Sequence, residues 1–169
     1  MTNILARLAG AALAMAMMTP IIVHGHGNET HGKPAKADIE EAEQMPWGIA
    51  GDPARIDRTI EMSMSDAMRF TPDRIDVRLG ETIRFVIRND GKLLHEYVLG
   101  TRAANDEHAA LMVRFPNMEH DAPYMAHVPA GETGEIVWHF NRAGRFDYAC
   151  LIAGHYQAGM IGSVTVDGQ

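Results

Sequence analysis

A single cysteine, Cys150, stands among 169 residues, so no disulfide can form within the chain. Basic side chains are also few. The 15 Lys and Arg against 22 Asp and Glu leave a formal charge of −7, which argues against a nucleic-acid or anionic-lipid surface. Aromatic residues make up only 7% of the chain. The one long apolar run, Leu8 to about Val23, is rich in Ala and Met and is broken by Thr19-Pro20. It is too short to make a convincing membrane anchor. No internal repeat is present, and the length allows one domain with appendages.

Met1 to Arg7 is short and positive, and the apolar run follows directly. This is the layout of a secretory signal, assigned to residues 1–25, with small residues suited to cleavage at Ala14-Met-Ala16 and Val23-His-Gly25. An uncleaved anchor is the alternative. Losing this segment removes Arg7 and no acid, so the mature chain is still more acidic. Export leads to an oxidising compartment. There a lone thiol is inert and buried, linked to another chain, or bound to a metal that protects it from oxidation.

Residues 26–56 read as a flexible linker. His24, His26 and His31 lie among glycines, and Lys36 to Glu43 is charged with little to bury. Met45-Pro-Trp47-Gly-Ile49 is suited to docking on a domain edge. From residue 57 to 169 the pattern is that of short strands. Thr59–Met64 and Arg74–Leu79 alternate with period two, as do Thr82–Asn89, Gly134–Phe140 and Gly144–Cys150. Turn signals at Gly80-Glu81, Asp90-Gly91 and Pro129-Ala-Gly131 separate them. Leu94–Leu99, Ala126–Val128 and Ile161–Val166 add three more strands, and Ala103–Phe115 has helical composition. The expectation is an all-β Greek-key sandwich with one short helical insertion.

Cys150-Leu-Ile-Ala-Gly-His155-Tyr-Gln-Ala-Gly-Met160 places a thiolate, an imidazole and a thioether within one loop. Such soft and borderline donors suit copper that alternates between Cu(I) and Cu(II), not the oxygen-seeking magnesium or calcium. A type 1 copper site needs a second histidine, and His95, after the Asn89-Asp-Gly turn, is the candidate. Zinc also accepts a cysteine and two histidines, although it makes no use of a thioether.

Several motifs occur together: Arg69-Phe70-Thr-Pro72, Val77-Arg-Leu-Gly80-Glu-Thr-Ile-Arg-Phe85, His95 beyond its turn, Gly144-x-Phe146-x-Tyr148-x-Cys150, and the Cys-x4-His-x4-Met loop. Across residues 57–169 the chain resembles a cupredoxin. Phe115-Pro-Asn-Met118-Glu-His120-Asp121 and the His-rich leader resemble the periplasmic copper-tolerance cupredoxins of the CopI type. The resemblance implies one type 1 copper ion held by His95, Cys150, His155 and Met160, and a periplasmic location. In many electron carriers of this family a small amide or hydroxyl residue follows the first histidine. Here Glu96 follows, which implies an altered potential and a greener colour.

Two roles are compatible with this reading: a one-electron carrier with a transient redox partner, and a copper-tolerance protein that binds or oxidises copper ions. Scavenging or storage without an electron-transfer partner is the alternative. An oxidase or nitrite reductase would need histidines flanking the cysteine, where this chain has Ala149 and Leu151, so no enzyme is expected. His24, His26 and His31 are candidates for capturing further copper. Met118, His120, Met125 and His127 are candidates for a second, Cu(I)-favouring site, whereas Met62, Met64 and Met68 read as core. His108 and His139 read as solvent-facing or satisfied by neighbours.

Overall fold

A computed structural model of the protein describes residues 42–116, 118 and 120–168. The signal segment 1–25, the histidines His24, His26 and His31 and the linker up to residue 41 lie outside these residues. The described chain forms ten strands and one helix. In order they are β1 (Ile49–Ala50), β2 (Arg58–Ser65), β3 (Arg69–Thr71), β4 (Arg74–Arg78), β5 (Thr82–Asn89), β6 (His95–Gly100), α1 (Arg102–Arg114), β7 (Met125–Val128), β8 (Thr133–His139), β9 (Gly144–Ala149) and β10 (Ile161–Asp167). They build a sandwich of two five-stranded sheets, ordered β1-β8-β5-β2-β3 and β4-β10-β9-β6-β7.

Alternation explains which side of each strand is buried. In β5, Ile83, Phe85 and Ile87 point inward, and each is fully excluded from solvent. Burying a side chain of this kind contributes about 1.5–3 kcal/mol. β5 lies between β2, to which it runs parallel, and β8, to which it runs antiparallel. Met62 and Met64 of β2 face the same core, and Met68 packs against it. In the second sheet Tyr97 and Tyr148 stack with ring centres 5.2 Å apart, and the Tyr148 hydroxyl donates to Pro72 O at 2.8 Å. Gly162 faces Tyr148 across β9 and β10, and a Cβ there would run into the tyrosine ring.

Two strands are absent from the sequence reading, β1 and β3. They span two and three residues, too few for a period-two signal. β1 pairs with β8, Trp47 is buried in the core, and its carbonyl accepts from Trp138 Nε1 at 2.9 Å. Packed structure therefore begins ahead of residue 57.

The helix is capped by Thr101, whose hydroxyl accepts from Ala104 N–H at 3.1 Å. Its packed face is Asn105, Ala109 and Met112, an i, i+4, i+7 stripe. Leu111 and Phe115, although apolar, are exposed.

Candidate metal centre

Three elements converge at one end of the sandwich. His95 opens β6, Cys150 follows β9, and His155 lies on the loop that runs to β10. One donor atom from each of the three falls within 4.8 Å of the others. Cys150 Sγ is 3.3 Å from His155 Nδ1, and the two imidazole rings lie 4.9 Å apart. His95 and Cys150 are fully buried, whereas His155 is half-buried.

His95 is oriented by Asp66, a residue that sequence reasoning missed. The Asp66 carboxylate accepts N–H bonds from Lys92 and Leu93 and lies 3.2 Å from His95 Nε2. The Lys92 N–H bond does most to hold the Asp66 carboxyl below its ordinary range, against the effect of burial. An aspartate accepting from Nε2–H leaves the lone pair of His95 on Nδ1. That Nδ1 is buried and has no hydrogen-bond partner in the protein, a costly arrangement unless a cation uses the lone pair. Gly91 is required here, because a Cβ would collide with the Asp66 carboxylate. Asn89 braces the same turn through Leu93 O and Val128 O, both at 2.8 Å. Asn89 belongs to the turn signal before His95, whereas Asp66 carries no motif and only the fold brings it to His95.

Burial pushes the Cys150 thiol up to about 12, although the Glu96 N–H reaches its sulfur at 3.5 Å and favours the thiolate. A cation beside the sulfur would reverse that preference. His155 is held below its usual value, first by burial and then by His95 nearby, which favours the neutral imidazole that a metal ligand needs.

Met160 is fully buried in the same cluster as Cys150. Its carbonyl accepts from Cys150 N–H at 3.1 Å and its own N–H donates to His155 O at 3.2 Å, so the loop closes on itself. The loop is tied down on two sides. Tyr156 OH donates to Asp106 of α1 at 2.6 Å, and Arg69 donates to Ala158 O at 3.3 Å. Leu151, next to Cys150, is fully buried. Leu93 and Leu94, immediately before His95, are half exposed.

Glu96, the departure from the usual pattern, is fully buried on β6. Its Oε1 accepts from Leu151 N–H at 2.8 Å, and its Oε2 is 3.1 Å from His127 Nε2. The hydrogen bond to Glu96 raises His127 above its ordinary value. His139 is satisfied by Thr82 Oγ1 at 3.0 Å, whereas His108 packs against the ring of His120.

Residues 58–167 match the model of the copper-binding proteins of the plastocyanin/azurin family. The copper-resistant cuproprotein CopI of Rubrivivax gelatinosus is 45% identical over 160 residues, covering 94% of this chain and 96% of that one. CopI of Pseudomonas aeruginosa is 35% identical over 161 residues, covering 78% and 88%. The solved structure of auracyanin B superposes with a TM-score of 0.59 at 21% identity, covering 71% of this chain and 96% of that one, which shows the shared fold. A largely buried His-Cys-His cluster at the end of a two-sheet sandwich, with these relatives, makes the chain a member of the plastocyanin/azurin copper-binding family, of the CopI type.

Proposed function

We propose that the protein is a periplasmic type 1 copper protein that serves copper tolerance, with His95, Cys150, His155 and Met160 as the ligands. The observation that carries this reading is the convergence of three donor atoms within 4.8 Å, with His95 Nδ1 buried and unpartnered. Two imidazoles, a thiolate and a buried thioether are the donor set that suits copper in both oxidation states, and zinc would leave the thioether idle. The names of the CopI relatives support copper resistance as the role.

Bound copper supplies a one-electron couple between Cu(I) and Cu(II). The chain's own residues hold the donors in place. Asp66 fixes the tautomer and angle of His95, the Glu96 N–H leans on the cysteine sulfur, and the paired main chains of Cys150 and Met160 set the loop. A site held this rigidly changes charge with little rearrangement, which favours one-electron exchange. His155 is the ligand that approaches the surface, with exposed Ala153, Gly154 and Ala158 on its loop. Small and apolar groups there suit a brief contact with a redox partner. Ala149 and Leu151 flank Cys150, so no histidine leads from the sulfur to a catalytic copper cluster, and the protein works as a carrier or binder and not as an enzyme.

A strain lacking the gene is expected to lose growth in elevated copper and to regain it with the wild-type gene. Complementation with Cys150→Ser is expected to fail while the protein still accumulates. Full rescue by Cys150→Ser contradicts the proposal.

A further inference from the structure

The helix α1, which lies between β6 and β7 in the chain, grips the segment that carries His155. Arg102 and Asp106 stand one turn apart on one face of α1. Tyr156, the residue after His155, donates its hydroxyl to Asp106 Oδ1 at 2.6 Å and accepts from Arg102 Nη1 at 3.3 Å. Arg102 Nε also lies 3.3 Å from Asp147 Oδ2 on β9, shortly before Cys150. One helix face therefore holds both the strand that ends at the cysteine and the loop that carries the histidine.

The loop has pivots at both ends of this segment. Gly154 and Gly159 adopt φ of +94° and +84°, and they bracket His155, Tyr156, Gln157 and Ala158. Glycine takes such conformations without strain and leaves the backbone freer to rotate than any other residue does. Within the segment Ala158 N–H donates to Gly154 O at 3.0 Å and Gly159 N–H to Tyr156 O at 2.9 Å, so it moves as a unit. His95, Leu151 and Met160 are fully buried, which leaves half-buried His155 as the cover of the Cys150 sulfur nearest to solvent.

We infer that Tyr156 is a positioning residue for His155: clasped by Asp106 and Arg102, it holds the imidazole beside the sulfur, and release of the clasp opens the way to Cys150. The inference rests on the ligand set proposed above and gives the helix control over copper entry and exit. The Tyr156 ring packs against the cluster that includes Ala109 and Met112 of α1 and Leu151 beside the cysteine. Packing seats the ring, and the hydroxyl fixes its place by donating to a carboxylate while accepting from a guanidinium. Phenylalanine would keep the packing and lose the clasp.

The test follows reaction of the full-length apoprotein with an aromatic disulfide, since Cys150 is the only cysteine. The Cys150 thiolate attacks one sulfur of the reagent, forms a mixed disulfide and releases a coloured thiolate. Tyr156→Phe and Asp106→Ala are expected to react about three- to tenfold faster than the wild type, the range that one hydrogen bond commands. Asp106→Asn, whose amide oxygen still accepts from the hydroxyl, is expected to stay near the wild-type rate. The gain is expected to persist unchanged in low urea, because local opening exposes little surface whereas global unfolding rises steeply. Loaded with one equivalent of Cu(II) and given a chelator, the two fast variants are expected to lose their visible absorption faster by a similar factor. Equal thiol rates in wild type and Tyr156→Phe overturn the inference, as does a gain that grows with urea or an Asp106→Asn as fast as Asp106→Ala. The thiol assay contains no copper, so its outcome is separate from whether the wild type takes up the metal, which the visible absorption reports.

Discussion

A histidine that ligates a metal through one nitrogen almost always has the other held by a partner, and for His95 of the proposed centre that partner is Asp66. Asp66 spends its remaining acceptor capacity on the N–H groups of Lys92 and Leu93, so one carboxylate shapes both the turn and the ring. Removing a partner of this kind costs roughly 10–100-fold in metal affinity. Asp66→Ala is accordingly expected to weaken copper binding by about that factor in a chelator competition, with the fold retained. Unchanged affinity would show that His95 needs no such support.

Asp66 also marks where reading the sequence stopped. Cys150, His155 and Met160 stand out because three uncommon donors share one loop, and His95 because it follows a turn signal. Asp66 is an ordinary acid 29 residues from its histidine, and only the pairing of β2 with β5 brings it there. Glu96 is an anomaly in the sequence, but its two-sided position between Cys150 and His127 depends on the β6–β7 register.

At the scale of elements, strands longer than about four residues were legible because alternation needs that many positions to show. The helix was legible as composition, although its buried face was not. Its stripe runs through Asn105, whose side chain packs close to Gly100, and a polar residue does not announce a core position. Second-sheet strand β4 and first-sheet strand β5 are joined by a turn built on Glu81. There the Arg78 guanidinium donates to Oε1 at 2.7 Å and Arg58 to Oε2 at 3.0 Å.

Burial of Glu81 works against its charge, but the Arg78 and Arg58 bonds prevail and its carboxyl is held below the ordinary value. A carboxyl lowered in the folded state stabilises the fold fully above its unfolded value of about 4.3, and that contribution fades as pH falls through the folded value. Glu81→Gln is therefore expected to cost about 1–2 kcal/mol at pH 7 in denaturant unfolding, with the difference from wild type shrinking toward pH 3. A difference that stays constant across this range would mean that charge is not what Glu81 contributes.

Across the described residues the chain is a two-sheet sandwich with His95, Cys150 and His155 gathered at one end. Strands β6 and β9 of one sheet deliver His95 and Cys150, and the loop from Cys150 to Met160 is hitched to α1 through Tyr156 and to β3 through Arg69. Because the donors come from separate parts of the chain, the centre is complete only in the folded protein, and metal binding is linked to folding. The central claim is that Cys150 binds copper as a thiolate within this centre. The measurement that tests it most directly is the visible absorption spectrum during titration of the purified apoprotein with Cu(II). An intense thiolate-to-copper charge-transfer absorption that saturates at one equivalent, and is absent in Cys150→Ser, is predicted. A protein that stays colourless, or a Cys150→Ser variant that keeps the absorption, would contradict the account.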